Sequence, residues 1–289
     1  MRVIAPRDQG KIMDLPPGIV RIQMSQAVAD ALVQELNRVE ALWARLDGLV
    51  VQPPPPGSAA FVDKNDTLRA LAHDLAAMYL RASLDHLRAW RTLLHAGDVP
   101  IYAHMSLLRT AHESAFFALW LVEPGVSADE RRARGVAAQL ASYEERRKFE
   151  ADLSRATPPQ PPAQTATQRR TQLLALAEQQ GLTKINRKGQ AVLITQLLSA
   201  VELFERFEPV PADSKAKGSY LYRFHSGYAH AKPWALYQGA QRVAPFDATG
   251  RAPALVSSND QVTLHATRRI INAVERAMAA CEELHRPTN

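Results

Sequence analysis

The chain has 289 residues, 46% of them hydrophobic, 22% charged and 7% aromatic. That is a globular composition rather than a disordered one, and the length suffices for a core without metals or disulfides. Its one cysteine, Cys281, excludes an intramolecular disulfide and any cysteine-cluster metal site, and suits a reducing compartment. The formal charge of +6 comes from 35 basic and 29 acidic residues. It is concentrated in the second half: residues 164–232 hold ten basic against five acidic side chains, whereas residues 127–156 hold seven against six. This excess reads either as ordinary solvated surface or as a face turned toward a polyanion.

Residues 1–24 carry Pro6, Pro16, Pro17 and Gly18 and are expected to be irregular, with Val3-Ile4 or Ile19-Val20 available as a short edge strand. No continuous apolar run follows Arg2 and Arg7, so a secretory signal is not expected. The strongest apolar run, Ala115 to Val122, falls far short of the ~20 residues of a membrane span. The reading is a cytoplasmic protein that does not enter a membrane.

Helical periodicity starts at Ser25, a suitable N-cap, and continues through Val28, Leu32, Leu36, Val39, Trp43 and Leu46 to Gly48. The stretch 52–58, with Pro53 to Pro56 and Gly57, is a stiff connector. A second helix is expected from Asp63 to His95, and a third from Ile101 to Val122, apolar on most of its circumference and therefore central. Ser127 with Glu130 reads as a capping box opening a charged helix that reaches Leu153. The Pro-rich segment 157–163 is the candidate mobile loop. Helices follow at 166–180, 189–206 and 213–230, then an irregular excursion at 233–258 and a last helix from Asp260 to His285. The expected fold class is all-α: seven or eight helices forming one bundle domain over 25–289, with an irregular N-terminal segment over 1–24.

Two places put polar groups among apolar ones. In Arg109-Thr110-Ala111-His112-Glu113-Ser114, Arg109, His112, Glu113, Phe116 and Trp120 fall along one side of a helix, and Arg109 and Glu113 can pair at i,i+4. The set reads as an interhelical polar clamp, as a wall of a ligand site, or as catalytic groups. Phe116 stands where a zincin helix carries its second histidine, so no metal site is expected there. The second place is Tyr220 to His230. Arg223, Ser226, Gly227 and His230 form one stripe, and Tyr222, His225 and Ala229 a neighbouring one. Gly227 allows close approach of a helix or ligand. His230, Arg223 and Ser226 together can hold a phosphate, or move a proton beside a stabilising cation. The Tyr and Trp residues near 220–237 serve equally as bundle filler or as a wall for a ring. No phosphate-binding loop, dinucleotide fingerprint, EF-hand loop or di-iron pattern occurs in the chain, and no cofactor is expected.

Arg223-x6-His230, preceded by Arg109-x3-Glu113 on an earlier helix, resembles the Arg-x4–6-His motif of the HEPN superfamily and related bacterial helical families. Phe224 follows the motif arginine, where active members often carry a polar residue, and that superfamily's core would cover part of this chain. The resemblance implies a small helical bundle, often dimeric, acting as a metal-independent ribonuclease in toxins or phage defence, or else binding nucleotides or partners. It implies that His230 activates the ribose 2′-hydroxyl or protonates the leaving oxygen, and that Arg223 stabilises the phosphorane-like state. Two functions therefore stand: a helical scaffold or ligand-binding protein without catalysis, with Arg109, His112, Glu113, Tyr222 and Ser226 as a polar core or ligand wall; or an endoribonuclease using Arg223 and His230. RNA, another protein or a second copy of the chain are the partners these readings expect.

Overall fold

The structure, a computed structural model, describes residues 19–21, 24–97, 100, 102–156, 165–210, 215, 217–236, 240–242, 254–256 and 260–287. The candidate loop at 157–163, Val3-Ile4, Asn259 and most of 243–258 lie outside the described residues.

The architecture is an all-α bundle. The described residues form ten helices rather than the expected seven or eight: α1 (Gln26–Val51), α2 (Ala59–Lys64), α3 (Thr67–His95), α4 (Ala103–Leu121), α5 (Ala128–Ala156), α6 (Ala166–Gln179), α7 (Ala200–Phe207), α8 (Tyr220–Ala229), α9 (Pro233–Leu236) and α10 (Asp260–Leu284). The count rises because α2 and α9 are too short to show a periodic stripe. α2 is initiated by Ser58, whose side chain accepts from the Phe61 amide, and α9 by Pro233 at its first position. The helix expected from Asp63 accordingly starts at Thr67, where the Asp66 carboxylate caps the amides of Leu68 and Arg69.

Other boundaries differ from expectation as well: the helix expected over 213–230 is α8, which begins only at Tyr220. α1 runs past Gly48 and stops only before Pro53, since one glycine costs a helix about 1 kcal/mol whereas proline ends it. Ser127 caps the Glu130 amide at 3.1 Å, but the Glu130 carboxylate goes to Arg134 rather than back to the cap, so the capping box is half-formed. The helix expected at 189–206 is instead a hairpin, β2 (Thr183–Ile185) with β3 (Ala191–Leu193), followed by α7. Asn186 decides this locally: its side-chain oxygen accepts from the amides of Lys188 and Gln190 and closes the turn. Complete capping boxes lie at Thr165 and Gln168, where α6 begins, and at Ser199 and Glu202, where α7 begins.

β1 (Ile19–Arg21) pairs in parallel with β5 (Ala254–Val256), which pairs antiparallel with β4 (Ala240–Arg242). Ile19-Val20 therefore does form an edge strand, and the excursion at 233–258 contains α9, β4 and β5.

α3 and α4 form the centre. α3 packs on α1, α4 and α5, and α10 closes the bundle against α1 and α4. α4 is buried on most of its circumference, with Met105, Leu108, Ala111, Ala115, Phe116 and Leu119 inside, as its all-round apolar sequence requires. Trp90 is fully buried, stacks on His104 at 5.0 Å and donates to Thr267 Oγ1 at 3.2 Å, which fastens α3 to α4 and α10. α5 meets α3 at Gly135, where a Cβ would stand 2.7 Å from the Ala72 amide nitrogen. A smaller cluster of Leu68, Val136, Leu140, Leu173, Ala177 and Leu182 joins α3, α5, α6 and the hairpin. Among the described residues no helix is long and apolar enough to cross a membrane.

Candidate functional site

α8 lies on α4, and that contact brings the two sequence-selected places together. Arg109 of α4 reaches α8: its Nη1 lies 3.1 Å from His230 Nε2 and its Nη2 donates to the Tyr222 hydroxyl at 3.4 Å. A guanidinium can only donate, so His230 Nε2 accepts and the ring proton sits on Nδ1. The same guanidinium lies over the Tyr222 ring, 5.3 Å from its centroid, and Arg109 Nε is 3.7 Å from Glu113 Oε2. Glu113 is mostly buried, with 28% of its side chain exposed. Burial pushes its carboxyl above the usual range, against the opposing pull of Arg109.

His230 is exposed and sits at the α8 C-cap. Its placement follows from how α8 ends. The amide of Lys232 bonds to the Gly227 carbonyl at 2.8 Å, and Ala231 takes a left-handed conformation with φ +49°, the Schellman arrangement that glycine more often supplies. Pro233 follows and starts α9. α9 then folds back on α8 at Gly227, where a Cβ would meet Trp234 Cζ2 at 2.6 Å and the Ala235 Cβ at 2.7 Å. Gly227 is the close-approach position expected of it, and the occupant is α9. Trp234, 51% exposed, thus lies against α8 one turn beyond Arg223 and three residues before His230.

Arg223 is exposed, and its side chain has no hydrogen-bond or ion-pair partner among the described residues. It does not join the Arg109–Glu113 pair. Ser226 is half-buried, and its carbonyl accepts the His230 amide. Lys232 adds an exposed cation to the same end of α8. The open part of the α4–α8–α9 face therefore carries Arg223, His230, Lys232 and Trp234, with Arg109 behind His230.

His112 departs from the expected common side. It is fully buried between Phe116 and Phe204, with ring centroids 4.6 and 4.5 Å away, and its Nε2 lies 3.0 Å from Glu208 Oε2. Burial lowers its pKa, against the upward pull of Glu208. His225, on the neighbouring stripe of α8, is also fully buried, 6.5 Å from the His112 ring, and neither of its nitrogens has a partner among the described residues. Burial first, then the charges of His112, His104 and Arg109, push its pKa down to about 3. These two histidines belong to the interior of the α4–α8 contact.

Two polar clusters had no local signal. Glu208 is buried beyond the end of α7 and is hydrogen-bonded by Arg269 of α10. Asp63 of α2 is buried with His73 Nε2 at 3.0 Å and with Arg131 of α5, whose Nε and Nη2 donate to the same carboxylate oxygen at 3.1 and 2.8 Å. Glu208 and Arg269 are 61 residues apart and Asp63 and Arg131 are 68, so no spacing rule reaches those pairs. Among the described residues no group of three or more His, Cys, Asp or Glu side chains is placed to hold a metal ion. Comparison of the chain with protein-family models, curated proteins and solved structures finds no match.

Proposed function

We propose that the α4–α8–α9 face binds single-stranded RNA and cleaves it without a metal ion, with His230 as general base and Arg109 and Arg223 as phosphate-binding cations. The observation that carries this reading is the exposed His230, hydrogen-bonded to Arg109, on a surface shared with exposed Trp234 and with Arg223, which has no side-chain partner among the described residues. Exposed indoles offer stacking platforms for unpaired bases, and arginines track the backbone. In this reading an RNA phosphate takes the Arg109 Nη1 hydrogen bond, which frees His230 Nε2 to accept the 2′-hydroxyl proton. The 2′-oxygen attacks phosphorus, the bond to the 5′-oxygen breaks, and that oxygen is protonated from solvent. The products are a 2′,3′-cyclic phosphate and a 5′-hydroxyl. The Arg-x6-His and Arg-x3-Glu resemblance supports the same assignment.

The test is purified protein on a panel of single-stranded and structured RNAs. Cleavage should survive EDTA, leave the cyclic phosphate and fail on DNA, which lacks the attacking group. His230→Ala should lower the rate by roughly 10²–10⁴, and Arg223→Ala by a comparable factor through lost charge stabilisation. Both residues are exposed, so each variant should melt like the parent. No cleavage by the parent, or equal cleavage by the His230 variant, removes the nuclease reading.

A second reading is favoured by one observation: Arg109 also touches Tyr222 and Glu113, as a clamp fastening α8 to α4 would. On that reading the protein is a non-catalytic scaffold. Arg109→Ala then lowers stability, while Arg223→Ala removes one surface charge and His230→Ala one hydrogen bond from Arg109, and neither alters any cleavage.

A further inference from the structure

Away from the α4–α8–α9 face, a cavity of about 330 Å³ opens between α1, α3 and the end of α10. Its floor is apolar, with Leu46 and Leu49 of α1 and Ala77 of α3, and the exposed Met78 stands at its rim. Two imidazoles line it, His73 of α3 and His285 just beyond α10, edge to face with ring centroids 6.4 Å apart. The fold fixes the tautomer of each. His73 Nε2 lies 3.0 Å from Asp63 Oδ2, the oxygen that Arg131 also bonds. A carboxylate paired with an arginine only accepts, so Nε2 carries the proton and the neutral ring keeps a lone pair on Nδ1. Asp63 is outside the lining, so the edge of His73 that meets the cavity is the one bearing Nδ1. His285 Nδ1 lies 2.8 Å from the Cys281 carbonyl, which also only accepts. The proton is therefore on Nδ1, and Nε2, buried and without a hydrogen-bond partner among the described residues, keeps its lone pair. Burial lowers the pKa of His285 against the pull of that carbonyl, and His73 and Lys64 lower it further, which keeps the ring neutral.

The cavity thus presents two fixed hydrogen-bond acceptors above an apolar floor. Its charged groups select no ion: Lys64 and Asp74 are both exposed and of opposite sign, and Arg81 is already bonded to Asp47 at 2.8 Å. The Cys281 thiol adds no charge, because burial pushes it up to about 12. A volume near the small end of the ligand range, an apolar body and a few placed polar groups describe a small-molecule site, and acceptors held away from water call for a ligand that brings its own donors. We propose that this cavity binds a small aliphatic primary amide, its NH2 group giving one hydrogen to His73 Nδ1 and the other to His285 Nε2, and its hydrocarbon body laid on Leu46, Leu49 and Ala77. A ketone of the same shape offers neither hydrogen. A carboxylate would set its charge against two lone pairs and Asp74, and an alkylammonium would set its charge beside Lys64 and Arg81. The site is separate from the RNA reading of the α4–α8–α9 face and stands or falls without it.

The experiment is calorimetric titration of the full chain at pH 8.5 with hexanamide, 2-heptanone, hexanoate and hexylammonium. In 2-heptanone a methyl group replaces the NH2 of hexanamide, so the pair differs in donors and hardly in shape. Hexanamide should bind about tenfold or more tightly than the ketone, the scale of one hydrogen bond, and more tightly than either ion. His285→Phe keeps a ring and removes Nε2; it should weaken hexanamide about tenfold and leave the ketone unchanged. Met78→Trp should block both. Met78 is exposed, so that variant folds even if the His285 variant does not. Equal binding of amide and ketone, tighter binding of hexanoate or hexylammonium, or no binding of hexanamide by the parent in the millimolar range overturns the proposal. So does undiminished hexanamide binding by either variant.

Discussion

His225 and His104 carry the clearest chemical strain at the scale of single residues. Each is buried, and burial lowers the pKa to about 3 and about 4 respectively. In the unfolded chain both titrate near the ordinary value of 6.5. Below that pH the unfolded state binds protons that the folded state refuses, so stability is fully present above pH 6.5 and falls as pH drops toward 4 and then 3. The expected slope is about 1.4 kcal/mol per pH unit for each histidine, read from urea melts between pH 7 and 4.5. His225→Leu should remove one proton's worth of that slope and cost little at pH 7, because neither ring nitrogen has a hydrogen bond among the described residues to lose. An unchanged slope in that variant would show that His225 is solvated. Burial also decides how His225 serves beside His230: its variants report on folding, whereas those of His230 report on the surface.

Two glycines, each inside a long helix, have opposite roles at the scale of the element. A Cβ added at Gly48 of α1 would meet nothing within 4 Å, whereas one added at Gly135 of α5 would stand 2.7 Å from the Ala72 backbone of α3. Gly48→Ala should therefore stabilise by about 0.5–1 kcal/mol through helix propensity alone. Gly135→Ala should destabilise by roughly 1–3 kcal/mol, because two helix backbones must separate to admit one methyl. Urea midpoints of the two variants should move in opposite directions. At the end of α8, Ala231→Gly should gain up to about 1 kcal/mol, since φ +49° suits glycine. A loss of stability there would mean that the turn presenting His230 is held by something other than its backbone.

Distant segments are joined across the whole molecule by a few buried ion pairs and one seam of exposed ones. Asp63 ties α2, α3 and α5 through His73 and Arg131. Although burial pushes its carboxyl upward, hydrogen bonds from His73 and Arg131 hold it below the usual range. Asp63→Asn should cost about 3–5 kcal/mol by leaving Arg131 uncompensated, and adding Arg131→Met should restore part of that loss, because the stranded charge goes with it. Additive losses in this double-mutant cycle would show that the two residues act separately. The seam between α1 and α10, with Arg45–Glu282 and Arg268–Glu35, is partly exposed and should contribute at most about 1 kcal/mol per pair. The all-α class, the central place of α4 and the long helices α1, α3, α4 and α10 are legible in the sequence, because a buried stripe at spacings of three and four is a local pattern. So is the Arg109–Glu113 spacing on one helix, and so is the close approach at Gly227. The second strand of the hairpin at 183–193 reads as helix in the sequence because Val192, Leu193 and Leu197 suit either period over so short a run, and the turn at Asn186 outweighs them. Nothing in the chain order foretells that Arg109 meets His230 rather than Arg223, that His112 faces Glu208, or that His73 and Arg131 share one oxygen of Asp63. Those partnerships depend on which helix faces packed together, and only a buried charge that has lost its water makes its partner obligatory.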